Sequence, residues 1–291
     1  MKFRTSIWVV VMVLFVAGCG APKVVTSYKK NAETAATHGN YTQAVEAWKQ
    51  YIAQHPVEEI QGAVFAKAAQ NAFQAGDNKL ATDWYDQARY KDFSSPEMYA
   101  TLAKIYRSQN NLSKELSALE FYTNHFSDVP NEIYSRLFEI YDEINMDNKA
   151  IAAWNKMNEA SKSTVPHLDA YFELNKEKKN TEVCDSVSLV LLEKDPKNVD
   201  ALEWNAQKYY TKAEQLYEQQ MEKYNQNKTR KQYRILLQQL DQVTADFKKA
   251  LPYFLKLWEI DPGKKYAGYL ANIYTRFGNE KKAEYYKQYL K

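Results

Sequence analysis

Residues 32–56 read AETAATHGNYTQAVEAWKQYIAQHP, two helical patterns set back to back around Gly39-Asn40-Tyr41. Gly39 suits the left-handed residue that closes a helix, and Pro56 stands where a second helix cannot continue. Ala44 follows the turn at a helical spacing. The same punctuation recurs in Gly76-Asp77 before Ala81 and in Gly278-Asn279 before Ala283. Pro196 and Pro262, each in an Asp-Pro pair, end similar patterns. With eight Gly and eight Pro in 291 residues, breakers are scarce enough to predict helices throughout.

This pattern resembles the tetratricopeptide repeat, a helix pair of about 34 residues. When the turn glycine is aligned with that of the family, small residues fall where the paired helices cross: Ala32, Ala69, Ala103, Ala206 and Ala271. Large residues, Trp48, Tyr85, Trp154 and Phe254, fall where they plug the gap beside them. Middle units beginning near Pro96, Asn131 and Val165 lack the turn glycine. The resemblance implies an all-α, right-handed solenoid of seven helix pairs over residues 28–291, beginning at about residue 25. From Pro56 to Pro196 the spacing is 140 residues, four repeats and four more; from Pro196 to Pro262 it is 66, one repeat and 32 more. The sixth unit therefore carries an insertion, at about 212–245.

The insertion is itself periodic. Tyr233, Leu236, Leu240, Val243, Phe247, Ala250, Phe254 and Leu257 alternate spacings of three and four. Leu202, Ala206, Tyr209, Ala213, Leu216 and Tyr224 form a partner seam that Gln220 interrupts, with a polar turn at Asn225-Gln226-Asn227-Lys228 between them. The expectation is a long helical hairpin projecting from the solenoid, each helix lengthened by about 16 residues, or about 24 Å. An extra pair stacked in line is the alternative. Pro252 is expected to kink the returning helix.

At the other end, Lys2 and Arg4 precede the apolar run Ile7 to Val16, too short to span a bilayer. Val16-Ala17-Gly18-Cys19 resembles the lipobox of bacterial lipoproteins, which implies a signal peptide at 1–18, an acylated Cys19 and a short tether at 19–27. Two or more acyl chains hold a protein stably at a membrane. Gly20, where an aspartate would signal inner-membrane retention, implies the outer membrane. The lack of an acidic run in Ala21-Pro22-Lys23-Val24-Val25 points to the periplasmic face. The richness in Tyr, Asn and Lys is similar to that of Bacteroidetes proteins.

Without residues 1–18, basic and acidic residues number 37 and 36, so no overall charge draws the chain to nucleic acid. Besides Cys19 only Cys184 is present, so an intrachain disulfide is not expected, and Cys184 falls at a small, buried crossing position. His38, His55, His125 and His167 show no metal-ligand spacing, and phosphate-loop, G-x-G-x-x-G and H-E-x-x-H motifs are missing. The expectation is a protein that is not an enzyme and takes no cofactor and no metal.

The repeat register assigns candidate groove residues to the first helix of each pair. The third unit offers Lys104 and Arg107; the fourth and fifth offer Glu132, Glu139, Asp142, Glu143, Asp169, Glu173 and Glu177, an acidic wall without a partner histidine. Such a wall favours a basic or neutral segment. The family's chaperone-binding clamp is not implied, because Glu33 stands where it needs Asn. The insertion's turn region gathers Lys223, Lys228, Arg230, Lys231 and Arg234, with Tyr224 and Tyr233 between them. Tyr285, Tyr286, Tyr289 and Leu290 are expected to leave an apolar end face suited to self-association. Together these point to a lipid-anchored scaffold that binds envelope proteins or peptides at the periplasmic face of the outer membrane. The alternatives are a peptide- or glycan-binding accessory of an uptake system and a lipoprotein accessory of β-barrel assembly.

Overall fold

A computed structural model describes residues 25–290 of the chain. These residues form helices and short turns with no strand among them, and they divide into two compact units at Val129 and Pro130. Residues 1–24, which include the candidate signal peptide and Cys19, lie outside the described residues.

The first unit holds three helix pairs: α1 (Val25–Thr37) with α2 (Tyr41–Ala53), α3 (Gly62–Gln74) with α4 (Asn78–Tyr90), and α5 (Pro96–Ser108) with α6 (Leu112–His125). The second holds α7 (Asn131–Glu143) with α8 (Asp147–Lys156), a one-turn helix α9 (Glu159–Lys162), and α10 (Val165–Glu177) with α11 (Thr181–Lys194). It continues with α12 (Val199–Gln226) and α13 (Arg230–Ile260), then α14 (Lys264–Arg276) and α15 (Glu280–Lys287). The first helix of every pair except the sixth is 13 residues long, about 20 Å.

Six of the seven pairs turn on one device. Gly39, Gly76 and Gly278 have φ of 69–85°, and in the units without glycine Asn110, Asn145 and Lys179 take the same left-handed place at φ 54–57°. In each, the next residue donates its N–H back five residues, as from Asn40 to Ala35 O and from Asn180 to Asn175 O, at 2.7–2.9 Å. This is the double bond pattern that satisfies the last carbonyls of a helix. The sequence signal faded in the middle units because asparagine tolerates this conformation without glycine. Lysine does not share that tolerance, so Lys179→Gly should stabilise the second unit by about 1 kcal/mol, measured by urea denaturation. Asn145→Gly should change far less, and equal gains would refute the argument.

The helix starts are capped in turn. Side-chain oxygens of Asp77, Ser95, Asn111, Asn198 and Asn279 accept from the backbone N–H three residues on, at 2.9–3.3 Å.

Packing follows the small and large positions. Ala32, Ala69, Ala103, Ala206 and Ala271 are buried at the crossings, as are Ala44, Ala81 and Ala283 opposite them. Trp48, Tyr85, Trp154 and Phe254 are buried beside them. These helix pairs, with small crossing residues and large plugs, are of the tetratricopeptide type. The Tyr85 and Thr101 hydroxyls both donate to Gln70 Oε1, at 2.7 and 3.0 Å, which ties α3, α4 and α5 together. Burial pushes the Tyr85 hydroxyl up to about 12, against the lowering effect of Thr101.

α12 and α13 are 28 and 31 residues long, more than twice a repeat helix, and they pack along one another as a hairpin. Leu236, Val243, Phe247, Ala250, Phe254 and Leu257 are buried from one side, and Leu202, Ala206 and Ala213 from the other. Gln220, which interrupts the second seam, is buried as well. Two details differ from the sequence expectation. The turn is Asn227-Lys228-Thr229, because Gln226 stays helical, bonded to Glu222 at 3.2 Å, and Thr229 Oγ1 accepts from Gln232 N at 3.2 Å. Tyr233, expected in the seam, is exposed at the tip where the helices end. α13 runs unbroken through Pro252, which sits on the exposed face. Asp246 is fully buried between the two helices, paired with Lys212 at 3.3 Å and bonded to Gln242 at 3.2 Å.

α9 is not part of the repeat pattern. It fills the space after the shortened α8, and Asn131 pins it. Asn131 Oδ1 accepts from Asn158 N at 2.7 Å, and its Nδ2 donates to Ser161 Oγ at 2.6 Å.

Candidate partner-binding site

The candidate residues fall in three places. Lys104 and Arg107 lie exposed on α5 in the first unit. Glu33, where a chaperone clamp would need asparagine, pairs with Lys67 at 3.2 Å, so the position is acidic and occupied.

The acidic residues lie in the second unit on α7 and α10, which pack side by side. Sequence reasoning missed a histidine here. His167 Nε2 sits 3.2 Å from Glu139 Oε1, while its Nδ1 donates to Ser161 O at 2.8 Å. Arg136 holds the other carboxylate oxygen of Glu139 at 2.9 Å. Burial opposes the charge on Glu139, but these two hydrogen bonds outweigh it and hold the carboxyl below its usual range. The pair was invisible in sequence because 28 residues separate its members and the packing of α7 on α10 brings them together.

Other members of the wall are answered too. Glu173 bonds Lys176, which also reaches Asp200 at 3.5 Å. Asp169 accepts from Asn198 Nδ2 at 2.7 Å. The expectation of a plain acidic wall is thus corrected: acids and bases alternate across it. Unbalanced negative charge persists at one end, where burial first, and then repulsion from Glu177 and Asp147, raises the Asp142 carboxyl. Lys178 pairs with Asp147, at 3.0 Å. Glu132, Glu143 and Glu177 are exposed. The face can therefore take a segment whose basic group meets Asp142 and Glu177.

Lys228, Arg230 and Lys231 stand exposed at the hairpin tip, apart from that wall. At α15 the expected end face shrinks. Tyr286 is 7% exposed, packed edge-on against Trp258 at 5.1 Å and stacked on Tyr274 at 5.7 Å. Tyr285, Tyr289 and Leu290 remain exposed.

A cleft of about 400 Å³ in the first unit also went unmarked by the repeat pattern. Arg89, Tyr99, Tyr106, Lys114 and Phe121 of α4, α5 and α6 line it. Tyr99 stacks on Phe121 at 3.9 Å, and Lys114 Nζ lies 5.5 Å from the Tyr106 ring centre. The aromatic content of α5 and α6 was a signal for it, but the pairing of Tyr99 with Phe121 needs the fold.

Chemistry of other kinds is weakly provided for. Cys184 is buried, its thiol 3.9 Å from Phe172 O, and burial pushes it up, which makes it inert. His38, His55 and His125 each donate Nδ1–H to the carbonyl four residues back, at 2.7–2.9 Å, and so act as helix-end caps. Among the described residues no cluster of His, Cys, Asp and Glu could hold a metal ion, and no helix is long and apolar enough to cross a membrane.

No protein-family profile matches the chain, and no curated protein sequence does either. Among solved structures, a putative protein binding protein from Bacteroides ovatus is similar at 16% identity and a TM-score of 0.48, covering 76% of this chain and all of that one. A tetratricopeptide repeat protein from Parabacteroides merdae is similar at 13% identity and a TM-score of 0.45, covering 91% and 97%. YrrB, described as a TPR protein with an unusual peptide-binding site, is similar at 12% identity and a TM-score of 0.47, covering 63% and 98%.

Proposed function

We propose that this chain is a lipid-anchored, non-enzymatic scaffold that binds partner proteins at the periplasmic face of the outer membrane. The observation that carries the binding role is the α7–α10 face, where acids and bases are fixed on two adjacent rigid helices. Asp142 and Glu177 are left there as the charge to be met by a basic segment. Helix pairs of this type present such faces without any chemistry of their own. The anchor rests on Val16-Ala17-Gly18-Cys19 and the basic and apolar residues before it.

Two arms of one experiment test this. Cys19→Ser, with residues 1–18 exchanged for an ordinary cleavable secretory signal, should move the protein from the membrane fraction to the soluble fraction and abolish incorporation of labelled palmitate. Persistent membrane association without label would overturn the anchor. Reversing Glu139, Asp142 and Glu173 together to lysine should lower recovery of crosslinked envelope partners by about tenfold. Unchanged recovery from a variant with native helix content would remove the face as the binding site.

A further inference from the structure

The hairpin tip carries more charge than folding requires. Between Lys223 and Leu240 the chain has five basic residues and no acid, although the protein as a whole is nearly neutral. All five, Lys223, Lys228, Arg230, Lys231 and Arg234, are exposed, and none is held in an ion pair with the described residues. Arg230, Lys231 and Arg234 crowd the first turns of α13, where like charges repel one another and the helix dipole disfavours bases, so the hairpin's own stability does not account for them.

Apolar groups are exposed beside the charges. Tyr233 is 48% and Leu237 45% exposed, one turn apart on the same face of α13 as Arg230 and Arg234. The ring of Tyr224 from α12 lies 5.8 Å from that of Tyr233 and braces the two helices just below the turn. Burial along the hairpin reaches Gln220 on α12 and Leu236 on α13. From Leu236 to Arg230 the helix extends about 9 Å beyond it. The tip is therefore a rigid, basic prominence with a tyrosine and a leucine among its charges.

This combination suits one kind of partner. Bases near an anionic membrane are drawn to its headgroups, while tyrosine favours the headgroup level and leucine the acyl boundary. A soluble acidic protein would satisfy the bases but gives no reason to expose Leu237. We propose that the tip of the α12–α13 hairpin docks on the surface of an anionic phospholipid bilayer, with Tyr233 and Leu237 entering the headgroup layer. This surface is separate from the α7–α10 face, and it holds whether or not Cys19 is acylated.

The test uses the chain from residue 19 onward carrying Cys19→Ser, so that neither an acyl chain nor the apolar run at 7–16 contributes, with Asn227→Cys labelled by a polarity-sensitive dye. Cys184 is buried and leaves the turn as the labelled site. Vesicles of phosphatidylcholine with about 30% phosphatidylglycerol should shift the dye emission to the blue, and pure phosphatidylcholine should not. Raising salt from about 50 to about 500 mM should reverse the shift. Combining Lys228→Glu, Arg230→Glu, Lys231→Glu and Arg234→Glu should weaken vesicle affinity at least about tenfold. Tyr233→Ser with Leu237→Ser should weaken it severalfold and keep the salt dependence. Helix content by circular dichroism confirms that each variant folds. An equal response to neutral vesicles, or no response to anionic ones, would overturn the proposal. A response to soluble polyglutamate with none to vesicles would assign the tip to an acidic protein instead.

Discussion

Phe254→Ala should cost the second unit about 3–5 kcal/mol of unfolding free energy, the largest loss expected from a single side chain here. Phe254 is 1% exposed and stands where α13 re-joins the repeat packing. Its ring stacks on Tyr269 of α14 at 4.6 Å and meets Tyr210 of α12 edge-on at 5.8 Å. Small residues Ala206 and Ala271 on those helices leave the space that the ring fills, and alanine at 254 cannot refill it. In an array of helix pairs each pair is held chiefly by its neighbours, so the loss should be local. Hydrogen exchange should accelerate most in α14, whose Tyr269 stacks directly on this ring, and in α15 packed on it. Phe254→Leu should recover more than half of the loss. Urea denaturation showing less than about 1 kcal/mol for Phe254→Ala would mean that the tyrosines close the gap by themselves.

That ring was legible from the sequence, because turn glycines fix the register and the register names the positions that must be small or large. The same logic located the hairpin, since a three-and-four spacing continued past the length of a repeat helix. What escaped was whatever depends on contacts between pairs. Trp258 and Tyr274 bury Tyr286 from two different helices, so its own neighbours in sequence give no sign of it. His167 looks isolated among scattered histidines until α10 lies on α7 and sets it against Glu139. Asn110, Asn145 and Lys179 hide their turns because the left-handed backbone is usually announced by glycine. The acidic wall was read without its bases: Arg136 and Lys176 pair with Glu139 and Glu173 three residues along the same helices, and Lys178, just past α10, reaches Asp147.

Gly62→Ala should destabilise the first unit by about 1–3 kcal/mol, against the ordinary sense of a glycine-to-alanine change in a helix. Gly62 opens α3 with an ordinary backbone, so no left-handed conformation demands it. Space does. After α4 the chain turns through Asp92 at φ 55° and Phe93 N–H bonds back to Ala88 O at 3.0 Å, which folds the turn onto the first residue of α3. A methyl group on Gly62 would lie 2.5 Å from Phe93 Cβ and 3.0 Å from both Ala88 O and Lys91 Cβ. None of these is the free end of a side chain. Ala88 O already accepts from Phe93, so relief requires moving the turn or withdrawing α3 from it. Gly268, inside α14, is the internal control: a methyl there would meet only Leu290 Cδ2, at 3.9 Å. Gly268→Ala should therefore stabilise its unit by up to about 1 kcal/mol through helix propensity alone. Thermal and urea unfolding of the two variants should move in opposite directions. If Gly62→Ala gained stability alongside Gly268→Ala, the close approach of the α4–α5 turn to the start of α3 would not be what holds glycine at position 62.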